Sequence, residues 1–284
     1  MMRGVSASPD PSPPPITSVA NPRVKAAVRL RDRRERDMTG LTLVDGAREL
    51  LRALDAGVAV HEAFACGPLV RSADARAAVE RLRAAGARCW EVSPAVFARL
   101  AFGDRAEGIV AVVRSPATDL AALHLPPVPL VVVAEDVEKP GNLGAILRSA
   151  DGAGVDALVA ASPRTDLFNP NAIRASLGTI FAVPLAAAST AQVLAWLRDR
   201  GIRILAARVD GTALATETDL TGPLAIAVGA EAAGLDPAWS AADIEGIRLP
   251  MLGVADSLNV SAASAVLLYE ARRQRGLPVT GGRR

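Results

Sequence analysis

Apolar residues recur along the first half of the chain with helical and strand periods in alternation. Residues 21–36 have helical spacing after an Asn-Pro start, and 41–44 form a short apolar run. Residues 47–56 read as a helix, 62–65 as a strand and 73–85 as a helix closed by Gly86. Residues 89–92 read as a strand, 94–100 as a short helix and 109–113 as a strand. Together they predict a compact α/β domain spanning 16–114, of ordinary domain size. Residues 115–127 read as a linker, because the stretch 115–129 holds four prolines and little periodicity. Beyond it, continuous apolar runs at 130–133, 157–161, 203–207, 224–228 and 247–249 predict buried strands. Helical stretches at 143–153, 191–200 and 260–274 alternate with them, which argues a parallel sheet in a second domain, 128–277.

Composition narrows the chemistry. Half of the 284 residues are apolar, enough for a sizeable core, yet no apolar run reaches the ~18 residues that a membrane span needs. Residues 1–15, rich in Pro and Ser, read as a disordered tail, and 278–284 as a basic tail. Two cysteines, Cys66 and Cys89, make no disulfide framework and fit a reducing cytoplasm. His61 and His124 have no Cys or His at ligand spacing, so neither a metal site nor histidine acid–base chemistry is expected. Net charge is only +2, but residues 29–36 read RLRDRRER. That stretch has two readings, an RNA backbone track or, through Asp32 and Glu35, a solvated amphipathic helix. Aromatics are 3% of the chain, so base stacking is a minor theme; Phe102 and Phe168 are its candidates, with core packing as the alternative.

Gly152-Ala-Gly154-Val-Asp-Ala157 fits a dinucleotide pattern, but it closes a helix instead of opening one and so reads as a glycine-rich C-cap. Three further segments carry the chemistry. Residues 135–151, EDVEKPGNLGAILRSAD, follow a strand and begin a helix near Asn142, which is either a cap or a functional amide, with Arg148 six residues on. Residues 168–184, FNPNAIRASLGTIFAVP, place Arg174 and Ser176 in a polar, turn-rich stretch before an apolar strand. The third is split: Gly229-Ala-Glu231 after one buried strand, Ile247-Arg-Leu-Pro-Met after another, and Ser257-Leu-Asn259-Val-Ser261 opening the last helix.

In this order and spacing, N-L-G-A-I-L-R, N-P-x-x-x-R-A-S-x-G, G-A-E, I-R-L-P-M and S-L-N-V-S-A-A resemble the motifs of the SpoU (TrmH) family of RNA ribose 2′-O-methyltransferases, within the SPOUT superfamily. The resemblance covers roughly residues 128–275. It implies a parallel α/β sheet whose C-terminal segment threads a deep trefoil knot, preceded by a smaller RNA-binding domain similar to a ribosomal-protein fold. It implies S-adenosylmethionine as cofactor, contacted by Gly229, Leu249 and Leu258 in an apolar slot. It also implies functional roles for Asn142, Arg148, Glu231, Ser257 and Asn259, an RNA-phosphate contact for Arg174, and a homodimer in which Arg174 reaches the partner's site. In the family the position of Arg148 is proposed as the base. A guanidinium stays protonated in proteins, so stabilising a developing alkoxide or a phosphate is the reading its chemistry favours. The expected partner is structured RNA, ribosomal in preference to transfer RNA. A knotted methyltransferase acting on a base nitrogen and a non-catalytic RNA-binding protein remain as alternatives.

Overall fold

Asp32 interrupts the helical spacing of residues 21–36. Its carboxylate accepts from the Arg34 amide at 2.8 Å and so starts a new helix. The result is two helices, α1 (Pro22–Arg29) and α2 (Arg33–Thr39), where the spacing predicts one. The computed structural model describes residues 14–102, 107–230 and 234–276. After α2 come β1 (Leu41–Asp45), α3 (Ala47–Asp55), β2 (Val60–Ala65), α4 (Ala73–Ala84), β3 (Cys89–Glu91), α5 (Pro94–Leu100) and β4 (Ile109–Arg114). The strands pair in the order β1-β4-β2-β3, antiparallel except for β2 with β3. Because strand side chains alternate, Leu43, Phe64, Val110 and Val112 face α1 and α5. Val44, Ala63, Ile109, Ala111 and Val113 face the other way, toward α3 and α4.

The second unit is a seven-stranded sheet in the order β7-β6-β5-β10-β8-β11-β9, with every pairing parallel. Its elements are β5 (Leu130–Glu135), α6 (Pro140–Ala153), β6 (Ala157–Ala161), α7 (Pro170–Ala175), β7 (Leu185–Ala188) and α8 (Thr190–Asp199). They continue with β8 (Arg203–Ala207), β9 (Ala213–Leu214), β10 (Leu224–Val228), β11 (Glu245–Arg248) and α9 (Val260–Gln274). Helices cover both faces, α8 packing on Val131, Val133 and Ile204, and α6 and α9 on Val132, Leu158 and Ile226. Gly154, in the left-handed region at φ +66°, caps α6 and leads into β6, so the 152–157 glycines are a helix stop. Residues 168–184 depart from the turn-rich expectation. The Asn169 side chain accepts from the Asn171 amide at 2.9 Å and opens α7, with Pro170 at its first position.

The two sheets share one apolar core, continuous from Val44 and Leu50 to Leu167, Phe168 and Ile180. Polar ties cross the same seam. Arg36 Nε meets Asp166 Oδ2 at 2.5 Å, with side chains 3% and 16% exposed. Thr42 Oγ1 donates to the Phe168 carbonyl at 2.6 Å, and Arg52 Nη1 to the Leu177 carbonyl at 2.6 Å. The segment between the sheets is itself packed: the Ala187 amide donates to the Thr118 carbonyl at 2.8 Å, and Leu120, Leu123 and Leu125 lie against the core beneath α8.

Candidate active site

Parallel sheets bind ligands beyond the C-terminal ends of their strands, where backbone amides and carbonyls emerge from the core. Here those ends build a cavity of about 770 Å³, a size suited to a nucleoside-bearing cofactor. Gly229, immediately after β10, forms its floor. A Cβ at that position would lie 2.3 Å from the Gly234 carbonyl carbon and oxygen and 2.5 Å from the Leu235 amide nitrogen, so the two strands of the loop touch backbone to backbone. The Gly234 amide closes the loop by donating to the Ala230 carbonyl at 2.9 Å. Leu249, just beyond β11, and Ser257, Leu258 and Asn259, just before α9, complete the walls.

Asn259 caps α9: its Oδ1 accepts from the Ser261 amide at 3.0 Å and from Ser261 Oγ at 2.6 Å. Its Nδ2 points across to Asn142 Oδ1 at 3.5 Å. Asn142 is not a helix cap. Pro140 begins α6 with Lys139 before it, which leaves the Asn142 amide aimed at α9. The structure thus brings Gly229, Leu249, Ser257, Leu258 and Asn259 around one cavity, with Asn142 at its edge through Asn259. Arg148 stands on the exposed side of α6 and does not line the cavity. Glu231 lies outside the described residues.

Arg174 sits at the end of α7, on the seam between the sheets. Its Nη1 donates to Asp45 Oδ2 at 3.2 Å and to the Phe102 carbonyl at 2.5 Å. The guanidinium is 18% exposed and the Asp45 side chain fully buried. Burial pushes the Asp45 carboxyl up to about 6; the Phe102 N–H and Arg174 oppose the rise, and Glu49 and Glu107 add to it. Asp45 Oδ1 has no hydrogen-bond partner among the described residues.

Sequence reasoning missed several lining groups. Arg208 and Asp210, paired at 2.6 Å, lie at the cavity beside Ser240, Met251 and Asp256. Their signal was available, since polar residues directly after a buried parallel strand fall at the ligand-binding edge. Glu135, a carboxylate ending the apolar run of β5, gave the same signal, although it stands behind the cavity wall and does not line the cavity. Among the described residues no group of His, Cys, Asp or Glu is arranged to hold a metal ion, and no helix is long and apolar enough to cross a membrane.

Comparison with known proteins matches this geometry to a class. The model of the SpoU rRNA methylase family matches residues 129–269, and that of an MRM3-like substrate binding domain matches residues 21–111. The chain is 33% identical over 255 residues, 87% of either chain, to the 23S rRNA (uridine(2479)-2′-O)-methyltransferase of Streptomyces viridochromogenes. The crystal structure of an RNA 2′-O ribose methyltransferase superposes with a TM-score of 0.80 at 42% identity, covering 91% of this chain and 98% of that one. An AdoMet-bound rRNA methyltransferase from Sinorhizobium meliloti superposes with a TM-score of 0.83 at 30% identity, covering 92% and 97%. The chain belongs to the SpoU rRNA methylase family. It therefore pairs an N-terminal substrate-binding domain with a parallel-sheet methyltransferase domain.

Proposed function

We propose that this protein transfers a methyl group from S-adenosylmethionine to a ribose 2′-hydroxyl of ribosomal RNA, in the 23S molecule. The observation that carries the reading is the single cavity at which the loops after β10, after β11 and before α9 converge. Bound there, S-adenosylmethionine supplies a methyl group activated on a sulfonium. Its adenosine end fits the slot whose floor is Gly229 and whose walls are Leu249 and Leu258, where backbone groups read the base edge and few side chains compete. Asn142, Ser257 and Asn259 orient the ribose and cofactor by hydrogen bonds, Asn259 being itself fixed by its cap on α9. Arg148 keeps its proton and stabilises the oxygen as it becomes nucleophilic, and Glu231 completes the set. Convergence of three separate segments on one cavity supports a C-terminal trefoil knot as the device that holds them.

The functional unit in this reading is a homodimer. Leu252 and Val254 are fully exposed beside the cavity, and Val266 and Tyr269 present an apolar face of α9 to solvent. Arg148 lies on α6, the helix packed against α9, so a partner covering that face brings Arg148 into an enclosed site. Arg174 is oriented by Asp45 and Phe102 through Nη1 alone, which leaves its other edge for an RNA phosphate. An rRNA substrate supports a cytoplasmic location. The test is digestion of RNA to nucleosides after reaction with labelled S-adenosylmethionine, followed by mass spectrometry. Label in 2′-O-methylnucleosides of 23S rRNA is expected. Label on a base, or in transfer RNA alone, overturns the assignment.

A further inference from the structure

Glu135 ends β5 as a residue only 2% exposed, and both its carboxylate oxygens are used. Oε1 accepts from Thr190 Oγ1 at 2.6 Å, at the first turn of α8. Oε2 accepts from the backbone amide of Asp236 at 2.6 Å. Asp236 stands directly after Leu235, and Leu235 and Pro237 line the cavity. The carboxylate therefore joins the C-terminal end of a central strand to the loop whose other limb is Gly229. It is held from behind as well: Thr190 Oγ1 lies 2.9 Å from Ser162 Oγ, which also accepts from the Thr190 amide at 3.1 Å.

The loop needs such a tie. Gly234, Asp236, Pro237 and Ala238 are exposed, and among the described residues of the segment the core holds it through half-buried Leu235 and buried Trp239. Among the described residues, two side chains at or just beyond strand ends reach it, Glu135 at Asp236 and Arg208 at Ser240. A buried carboxylate loses its solvation, so its retention at a strand end is offset only by the bonds it accepts. Both are fixed by backbone or by a helix terminus. On the reading above, in which this loop cradles the adenosine end of the cofactor, we infer that Glu135 is a positioning residue for S-adenosylmethionine. It holds the Leu235–Pro237 wall at the spacing the cofactor fills and touches neither cofactor nor RNA.

Three variants of the full-length protein test this. Glu135→Ala removes both acceptors, Glu135→Gln keeps an acceptor for the Asp236 amide while its NH₂ can donate to Thr190 Oγ1, and Thr190→Val removes the supporting hydroxyl. Cofactor affinity is read by titration calorimetry, fold by circular dichroism and thermal melting, and KM is measured separately for S-adenosylmethionine and for RNA. The expected result is a tenfold or greater rise in cofactor Kd and KM for Glu135→Ala, with KM for RNA unchanged. Near-normal values are expected for Glu135→Gln and a smaller rise for Thr190→Val. A folded Glu135→Ala protein with wild-type cofactor affinity overturns the inference. Equal losses in Ala and Gln, or a drop in melting temperature with no change in cofactor Kd, overturn it too. Failure of the wild-type protein to bind S-adenosylmethionine would instead sink the cofactor assignment itself.

Discussion

Burial sets the protonation of Asp45, and the consequence is a measurable pH dependence. The carboxyl is raised to about 6, chiefly by desolvation, against roughly 3.9 in an unfolded chain. Between those values the folded protein holds a proton that the unfolded chain has released. Its contribution therefore favours folding fully below about pH 4 and is lost as pH rises through 6. Two pKa units correspond to about 3 kcal/mol at most. Asp45→Asn keeps an acceptor for the Phe102 amide and for Arg174 but cannot titrate. The stability of wild type minus variant, from denaturant melts at stepped pH, is expected to fall between pH 4 and 6 and to level off above 7. A flat difference would remove Asp45 as the titrating group. None of this was legible in the run Leu41-Thr-Leu-Val-Asp-Gly46, because the Arg174 that pairs with Asp45 lies 129 residues away. Gly229 shows the intermediate case: its motif marked the position, while the cause, contact with the Gly234 backbone, needed the fold.

At the level of elements, two glycines of α6 make a controlled pair. A Cβ on Gly144 would lie 2.5 Å from Ala175 Cβ, 2.7 Å from the Ser176 amide nitrogen and 2.8 Å from the Ala172 carbonyl oxygen, so α6 crosses α7 at that point without room for a methyl. A Cβ on Gly141 would meet nothing within 4 Å. Helix propensity favours Ala over Gly by about 1 kcal/mol in a helix interior, whereas overpacking costs about 1–3 kcal/mol. Backbone atoms of α7 cannot turn aside, so the second effect wins at position 144. Gly144→Ala is expected to lower the urea midpoint, with a net loss of up to about 2 kcal/mol, and Gly141→Ala to leave it level or raise it. Equal shifts in the two variants would mean that the α6–α7 contact relaxes freely. The long elements were readable because their patterns are strong: α9 starts and ends where the spacing of residues 260–274 says, and the central strands are unbroken apolar runs. Short elements were readable only in part: α5 falls at residues 94–100 as expected, but α7 and the break between α1 and α2 were not seen. The six residues of α7 are too few to show a period, and a single capping side chain, Asp32, divides α1 from α2.

For the whole molecule, the order of the units could be read from the chain but their docking could not. Arg36 and Asp166, or Thr42 and Phe168, are separated by 126 residues or more and become partners only through the fold. That docking decides what Arg174 can do. Its Nη1 is committed to Asp45 and Phe102 in its own chain, so the arginine is held stiffly at the seam with one edge presented outward. Asn142 belongs to the other end of the machinery, beside Asn259 at the cavity. If a substrate phosphate is gripped by one subunit and its ribose methylated by the other, the two residues serve a given site from different chains. Arg174→Ala and Asn142→Ala should then each be nearly inactive alone. Mixed and allowed to exchange subunits, they should recover up to about a quarter of wild-type activity, because half of the dimers are mixed and each mixed dimer holds one intact site of two. Asp45→Asn, which keeps an acceptor for Arg174, should retain most activity in the same assay. Native mass spectrometry reports the mixed dimers directly. If they form and the mixture stays inactive, Arg174 acts within its own chain, as an interdomain tie through Asp45. In that case Arg174→Ala should lower the melting temperature. A protein that remains monomeric at micromolar concentration would end the shared-site reading before any activity is measured.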